Sequence, residues 1–207
     1  MKIFKDFADS FSLSFHPMII PFYTLIFIFI LPIFQIQAMG EAMQISILVI
    51  AGLSTIVMPI VSMYFLKKRK LISSYKLENK NERFTPYIYT TIYYGITTYM
   101  LHRIELLPDI VPLIFAIPTV VIIILIILNF RIKASAHAAG MGSINAIIYV
   151  LMHVYSLDLI LAFQVSFILT FLVIISRKYL NAHSWAELII GYIIGGGISL
   201  LLGFWIL

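Results

Sequence analysis

His183 and Glu187 lie four residues apart, so a helix through them puts imidazole and carboxylate on one face, one turn from each other. A carboxylate there can take the Nδ1 proton of the ring and leave Nε2 as a nucleophile. Ser176-Arg177 stands upstream, with five residues between Arg177 and His183. Two more clusters share this character: Lys76 and Arg83, seven positions apart with Pro86 following, and the run Ala134-Ser135-Ala136-His137. Taken singly, each has an ordinary explanation. Ser135 reads as a helix N-cap, His137 as an interfacial polar side chain, the cations as headgroup contacts, and His183 with Glu187 as a solvated helix end. Taken together they describe an oxyanion site. Two guanidinium forks, an ammonium and the free amides of a helix starting at Ser135 all favour phosphate. One histidine is then available to attack phosphorus, and the other to protonate the departing alkoxide.

The elements that must position these residues are membrane helices. The chain has 207 residues, 62% of them hydrophobic and 11% charged, far outside the range of soluble globular domains. Crossing the hydrocarbon core takes about 20 apolar residues, because each backbone amide must be satisfied inside the segment. Seven stretches meet or approach this, near 18–37, 43–66, 86–104, 110–130, 135–155, 158–176 and 186–206. The third is the most polar, being rich in Tyr and Thr. Gly191, Gly195, Gly196 and Gly197 on the last span predict close helix packing. The expected fold is therefore all-α, a polytopic bundle of six to seven spans forming a single domain over 1–207. The N-terminal stretch 1–17 reads as an interfacial amphipathic helix, with Phe4, Phe7 and Phe11 opposite Lys5, Asp6 and Asp9. It does not read as a cleaved signal peptide.

With seven spans, the loops after spans two, four and six open on the side of the N-terminus. Those loops, with Lys2 and Lys5, carry every Lys and Arg except Arg103. All three polar clusters fall on that face. The net charge of +5 is thus concentrated where headgroups or a phosphorylated substrate lie, and nucleic acid is set aside as a partner. Cysteine is absent, which excludes thiolate catalysis and Cys-based zinc or iron–sulfur sites.

In order along the chain, Lys76-x6-Arg83, Ser135-x-His137 and Ser176-Arg177-x5-His183-x3-Glu187 resemble the three signature motifs of the type 2 phosphatidic acid phosphatase superfamily. Lipid phosphatases, glucose-6-phosphatase and vanadium haloperoxidases belong to it. The resemblance covers roughly residues 76–187. It implies the helical core of that superfamily and a metal-independent hydrolase without cofactor. By the same resemblance His183 is the nucleophile, Glu187 its orienting carboxylate and His137 the general acid, with Lys76, Arg83, Ser135 and Arg177 as phosphate ligands. Three positions depart from the family pattern: Phe84 replaces a Pro, Ala136 replaces a Gly, and Glu187 replaces the closing Asp.

A site at the lipid–water boundary suits a membrane lipid that carries a phosphate or diphosphate and enters sideways from the bilayer. Phosphatidic acid, undecaprenyl diphosphate, phosphatidylglycerol phosphate and a lipid A phosphate all fit. The expected location is a bacterial cell membrane. The positive-inside rule puts the cationic face in the cytoplasm, whereas bacterial phosphatases resembling this chain mostly face outward, and the sidedness stays open. The competing reading is a non-enzymatic transporter or lipid-binding protein that holds an anionic headgroup on the same face. Broken helices or ionisable groups at mid-depth would favour it.

Overall fold

The computed structural model describes residues 2–75, 77 and 79–207, without the side chains of Lys2 and Ile3. Lys76 lies outside the described residues. Those described are all-helical, with no strand. In chain order the α-helices are α1 (Lys2–Ser14), α2 (Ile20–Phe29), α3 (Phe34–Gln37), α4 (Glu41–Gly52), α5 (Met58–Lys68), α6 (Phe84–His102), α7 (Ile110–Asn129), α8 (Ala136–Val154), α9 (Ile160–Tyr179) and α10 (Trp185–Ile206). A π-helical segment, Leu53–Val57, joins α4 to α5, so Glu41–Lys68 is one continuous helix. Among the described residues, five helices are long and apolar enough to cross a membrane: Glu41–Lys68, α7, α8, α9 and α10.

Two expected spans differ. The stretch 18–37 is not one helix, because α2 stops at Phe29 and the short α3 begins only at Phe34. Pro32 accounts for the break: its ring clashes with the preceding turn, it has no N–H to give, and it biases Leu31 away from helical backbone. The carbonyls exposed there do not go unmatched. Gln37 Nε2 donates to the carbonyls of Leu31, at 2.8 Å, and Phe29, at 3.3 Å, and Gln44 Nε2 donates to those of Ile36 and Met39. The stretch 86–104 does form a helix, α6, but it is not among the five apolar ones. Its threonines tuck their polarity inward, with Thr90, Thr91, Thr97 and Thr98 each donating to the carbonyl four residues back.

The π-helical segment also has a local cause. Pro59 cannot donate to the turn before it, and widening that turn removes the clash. The Ser54 and Thr55 hydroxyls both donate to the Ala51 carbonyl beside it.

The chain divides into two units, one taking in the N-terminal residues through Ile20 and Ile127–Leu207, the other Pro21–Ile126. In the second unit, Ser62 on α5 and Tyr93 on α6 share a hydrogen bond between their hydroxyls. In the first, α8 and α10 meet backbone to backbone. Gly191, Gly195, Ser199 and Gly203 recur every fourth residue and form a smooth stripe along α10. A Cβ on Gly195 would strike the Ala139 carbonyl, one on Gly191 the Ser135 backbone, and one on Gly203 the Val150 side chain. Gly142 answers from α8, where a Cβ would strike the Tyr192 carbonyl. Gly197 has open space beside it and takes no part, and Gly196 only ordinary contact. The Gly195 carbonyl also accepts from the hydroxyls of Ser143 and Ser199.

A buried polar link ties α9 to this pair. Asn145 donates to Thr170 Oγ1 and to the Tyr192 hydroxyl, at 3.1 Å each. The N-terminal α1 forms as expected, with Phe4 and Phe7 exposed, and turns Ala8 and Ser12 into the unit. Phe11 and Phe15 pack on a core of Ile20, Met141 and Val173. Helix α1 is therefore docked against α9 rather than lying apart as a leader.

Candidate phosphate site

The loop from α9 to α10 sets the position of His183. Asn181, at φ 53°, occupies the left-handed region that asparagine tolerates best among non-glycine residues. The Asn181 N–H donates to the Lys178 carbonyl and the Ala182 N–H to the Arg177 carbonyl, the paired bonds of a Schellman motif. This reversal consumes the residues between Arg177 and His183 and gives their separation a structural meaning. Arg177 sits in the last turn of α9, where a cation also complements the helix dipole.

Helix α10 then starts on a capping box. Ser184 Oγ accepts the Glu187 N–H, and Glu187 Oε2 accepts the Ser184 N–H at 3.0 Å. The same carboxylate oxygen lies 3.1 Å from His183 Nδ1, and the Lys133 carbonyl approaches that nitrogen at 3.1 Å from the other strand of chain. Both neighbours are acceptors, which places a ring proton on Nδ1. His183 is buried, whereas Glu187 keeps contact with solvent.

Ser135 is fully buried and caps α8, its Oγ accepting the Ala138 N–H at 3.4 Å. Its own N–H donates to the Glu187 carbonyl at 3.0 Å, which joins the first turns of α8 and α10. Gly191 makes that join possible by leaving room for the Ser135 backbone. His137, in the first turn of α8, has Arg177, His16 and His183 as its electrostatic neighbours. Ser135, His137, Arg177, His183 and Glu187 are therefore brought to one end of one unit.

Arg83 belongs to the other unit. It is buried, and its Nε donates to the Leu77 carbonyl at 3.0 Å, holding a loop residue with φ 48°. Glu82 pins the same loop by accepting from the N–H and hydroxyl of Ser73. Lys76, its partner in the first motif, is outside the described residues.

Three residues of this neighbourhood escape a reading of the sequence. Lys133 supplies the second acceptor for His183, and its Nζ reaches the Ala182 carbonyl at 3.4 Å. Ser12 accepts a hydrogen bond from Arg177 Nη1 at 3.0 Å. His16 meets His137 edge-on, with ring centroids 5.2 Å apart. The signal available for His16 was its place beside Pro17, at the end of the polar leader. Nothing in the spacing points to Ser12.

Burial, reinforced by the nearby Arg177 charge, pushes the His16 imidazole down to about 4. Its Nδ1 accepts the Met18 N–H, which suits the neutral ring. The folded value is below the unfolded one near 6.5, so the neutral ring's contribution to folding is complete above that pH and is lost as pH falls through it toward 4. Thermal melts in detergent at falling pH should show wild type losing up to about 3 kcal/mol over that window. His16→Gln should show a shallower loss; equal slopes for the two proteins would refute this assignment.

No protein-family model matches the chain, and neither a curated protein nor a solved structure does.

Proposed function

We propose that this chain is a metal-independent lipid phosphatase that works through a phosphohistidine on His183. The observation that carries the reading is the pair of acceptors at His183 Nδ1, the Glu187 carboxylate and the Lys133 carbonyl. Together they favour the tautomer whose Nε2 lone pair can attack phosphorus. In that step the Nε2–P bond forms, the P–O bond to the lipid breaks, and His137 gives its proton to the leaving oxygen. Water then attacks the phosphohistidine and yields a proton to His137. The N–P electron pair returns to Nε2, and both rings end as they began. Arg177 and the start of α8 hold the phosphoryl oxygens.

In this reading α6 is a further crossing and α2 with α3 a broken one, giving six to seven spans and the helical core of the phosphatase–haloperoxidase superfamily. The inward-bonded threonines of α6 reduce the cost of placing it in lipid. The substrate is a membrane lipid phosphate or diphosphate, such as phosphatidic acid or undecaprenyl diphosphate, in a bacterial cell membrane. Purified protein in detergent should release phosphate from such lipids at a rate that EDTA leaves unchanged. His183→Ala should lower that rate by about a thousandfold or more. A requirement for added Mg²⁺, or an unimpaired His183→Ala, would count against the proposal.

A second reading is favoured by one observation, the interrupted α2–α3 with its glutamine-bound carbonyls. Broken helices line the binding sites of many transporters, so a non-enzymatic carrier or lipid-binding protein is the alternative. It predicts binding of anionic lipid with no phosphate release.

A further inference from the structure

We infer that Ser12 is a positioning residue of this site, its hydroxyl anchoring the Arg177 guanidinium. The inference rests on the phosphatase reading and deepens it, because it makes the N-terminal helix a wall of the site. Ser12 is buried, and its partner Arg177 is 165 positions away in sequence. Ala8, one turn earlier on the same face, is buried too, and two small side chains in register let α1 approach closely. Phe11 and Phe15 fix that approach by packing on Ile20, Met141 and Val173. His16, one turn beyond Ser12, closes the arrangement by resting edge-on against His137.

The chemistry explains why one hydroxyl matters. A guanidinium carries its five N–H groups in a rigid plane, so tethering one edge sets the direction of the others. A displacement of about 1 Å in such a clamp can cost about a hundredfold in rate. Ser12 itself touches no reacting atom in this scheme. Its loss should therefore act on the transition state through Arg177, with lipid binding little changed.

The test uses the intact chain in detergent, titrated with orthovanadate, which becomes five-coordinate and resembles the phosphoryl-transfer transition state when a nucleophile binds it, and assayed for phosphate release from phosphatidic acid. Ser12→Ala should lower kcat about tenfold or more and weaken orthovanadate in proportion, with KM and melting temperature near wild type. Ser12→Thr, which keeps the hydroxyl, should restore both. If Ser12→Ala does not fold, Ser12→Cys is read instead, being nearly isosteric with a much weaker acceptor. Wild-type kcat and orthovanadate affinity in the folded variant, alongside an inactive His183→Ala, would overturn the role of Ser12 and leave the phosphatase intact. A wild-type protein that neither binds orthovanadate nor releases phosphate would overturn both.

Discussion

Glu187→Gln should slow phosphate release by about a hundredfold or more while the protein stays folded and keeps its melting temperature. The substitution separates two jobs that one carboxylate performs. As the third residue of the capping box, Glu187 accepts the Ser184 N–H, and a glutamine carbonyl accepts it equally well. As the partner of His183 it meets Nδ1, and on the proposed phosphatase reading it would balance the charge that the ring acquires as phosphate transfers. Glutamine is neutral, so it cannot balance a charge on the ring, and it can turn its NH₂ toward Nδ1 only by giving up the Ser184 N–H, since one oxygen serves both. The Lys133 carbonyl still opposes that turn, so some activity should survive. Glu187→Ala removes the cap as well and should add about 1 kcal/mol of destabilisation. Single-turnover rates with acid-quenched trapping of phosphohistidine would measure the effect. Full activity in a folded Glu187→Gln would reduce the carboxylate to a helix cap.

Gly195→Val should abolish the folded state or bring it close to collapse. A side chain at that position meets the backbone of Ala139, and backbone cannot rotate away as a side-chain tip can. The two helices would have to part along much of their length, breaking the hydroxyl bonds to the Gly195 carbonyl and opening the Ser135–Glu187 join. About 3 kcal/mol or more is the expected cost, the upper range for overpacking. Gly197→Ala, where a methyl meets nothing, should be neutral or slightly stabilising. Detergent-resistance melts of both variants provide the comparison, and similar stability for the two would refute the stripe.

Apolar length alone places all five apolar helices within a few residues, four of them being 110–130 against α7, 135–155 against α8, 158–176 against α9 and 186–206 against α10. The fifth, expected at 43–66, runs over Glu41–Lys68. Periodicity carries no information about a break whose cause is a single proline, and 18–37 read as continuous because its hydropathy is uniform. The π-helical segment was hidden for the same reason. Within the site, a spacing of four on one helix predicts the His183–Glu187 contact, but His183 lies just before the N-cap Ser184, and it is the capping turn, folding the Glu187 carboxylate back over the start of α10, that makes the contact. Gly191 and Gly195 announced their role by small size at helical spacing, whereas Gly196 and Gly197 shared the composition without the face. Ser12, His16 and Lys133 were illegible for a different reason: their partners are brought to them by tertiary packing, and Ser12 and Arg177 come from opposite ends of the chain.

The bare-backbone seam between α8 and α10 has a kinetic corollary. Surfaces that interlock carbonyl against glycine slip only by whole helical turns, a jump of about 5.4 Å, and resist smaller creep. His137 and Glu187 ride on those two helices and form a fixed jaw. Arg177 and His16 are held instead through side chains, by the Ser12 hydroxyl and the edge of the His137 ring, contacts that break and re-form more readily than a backbone seam. On the phosphatase reading, whatever yields when a bulky headgroup enters or a product leaves should yield on that side.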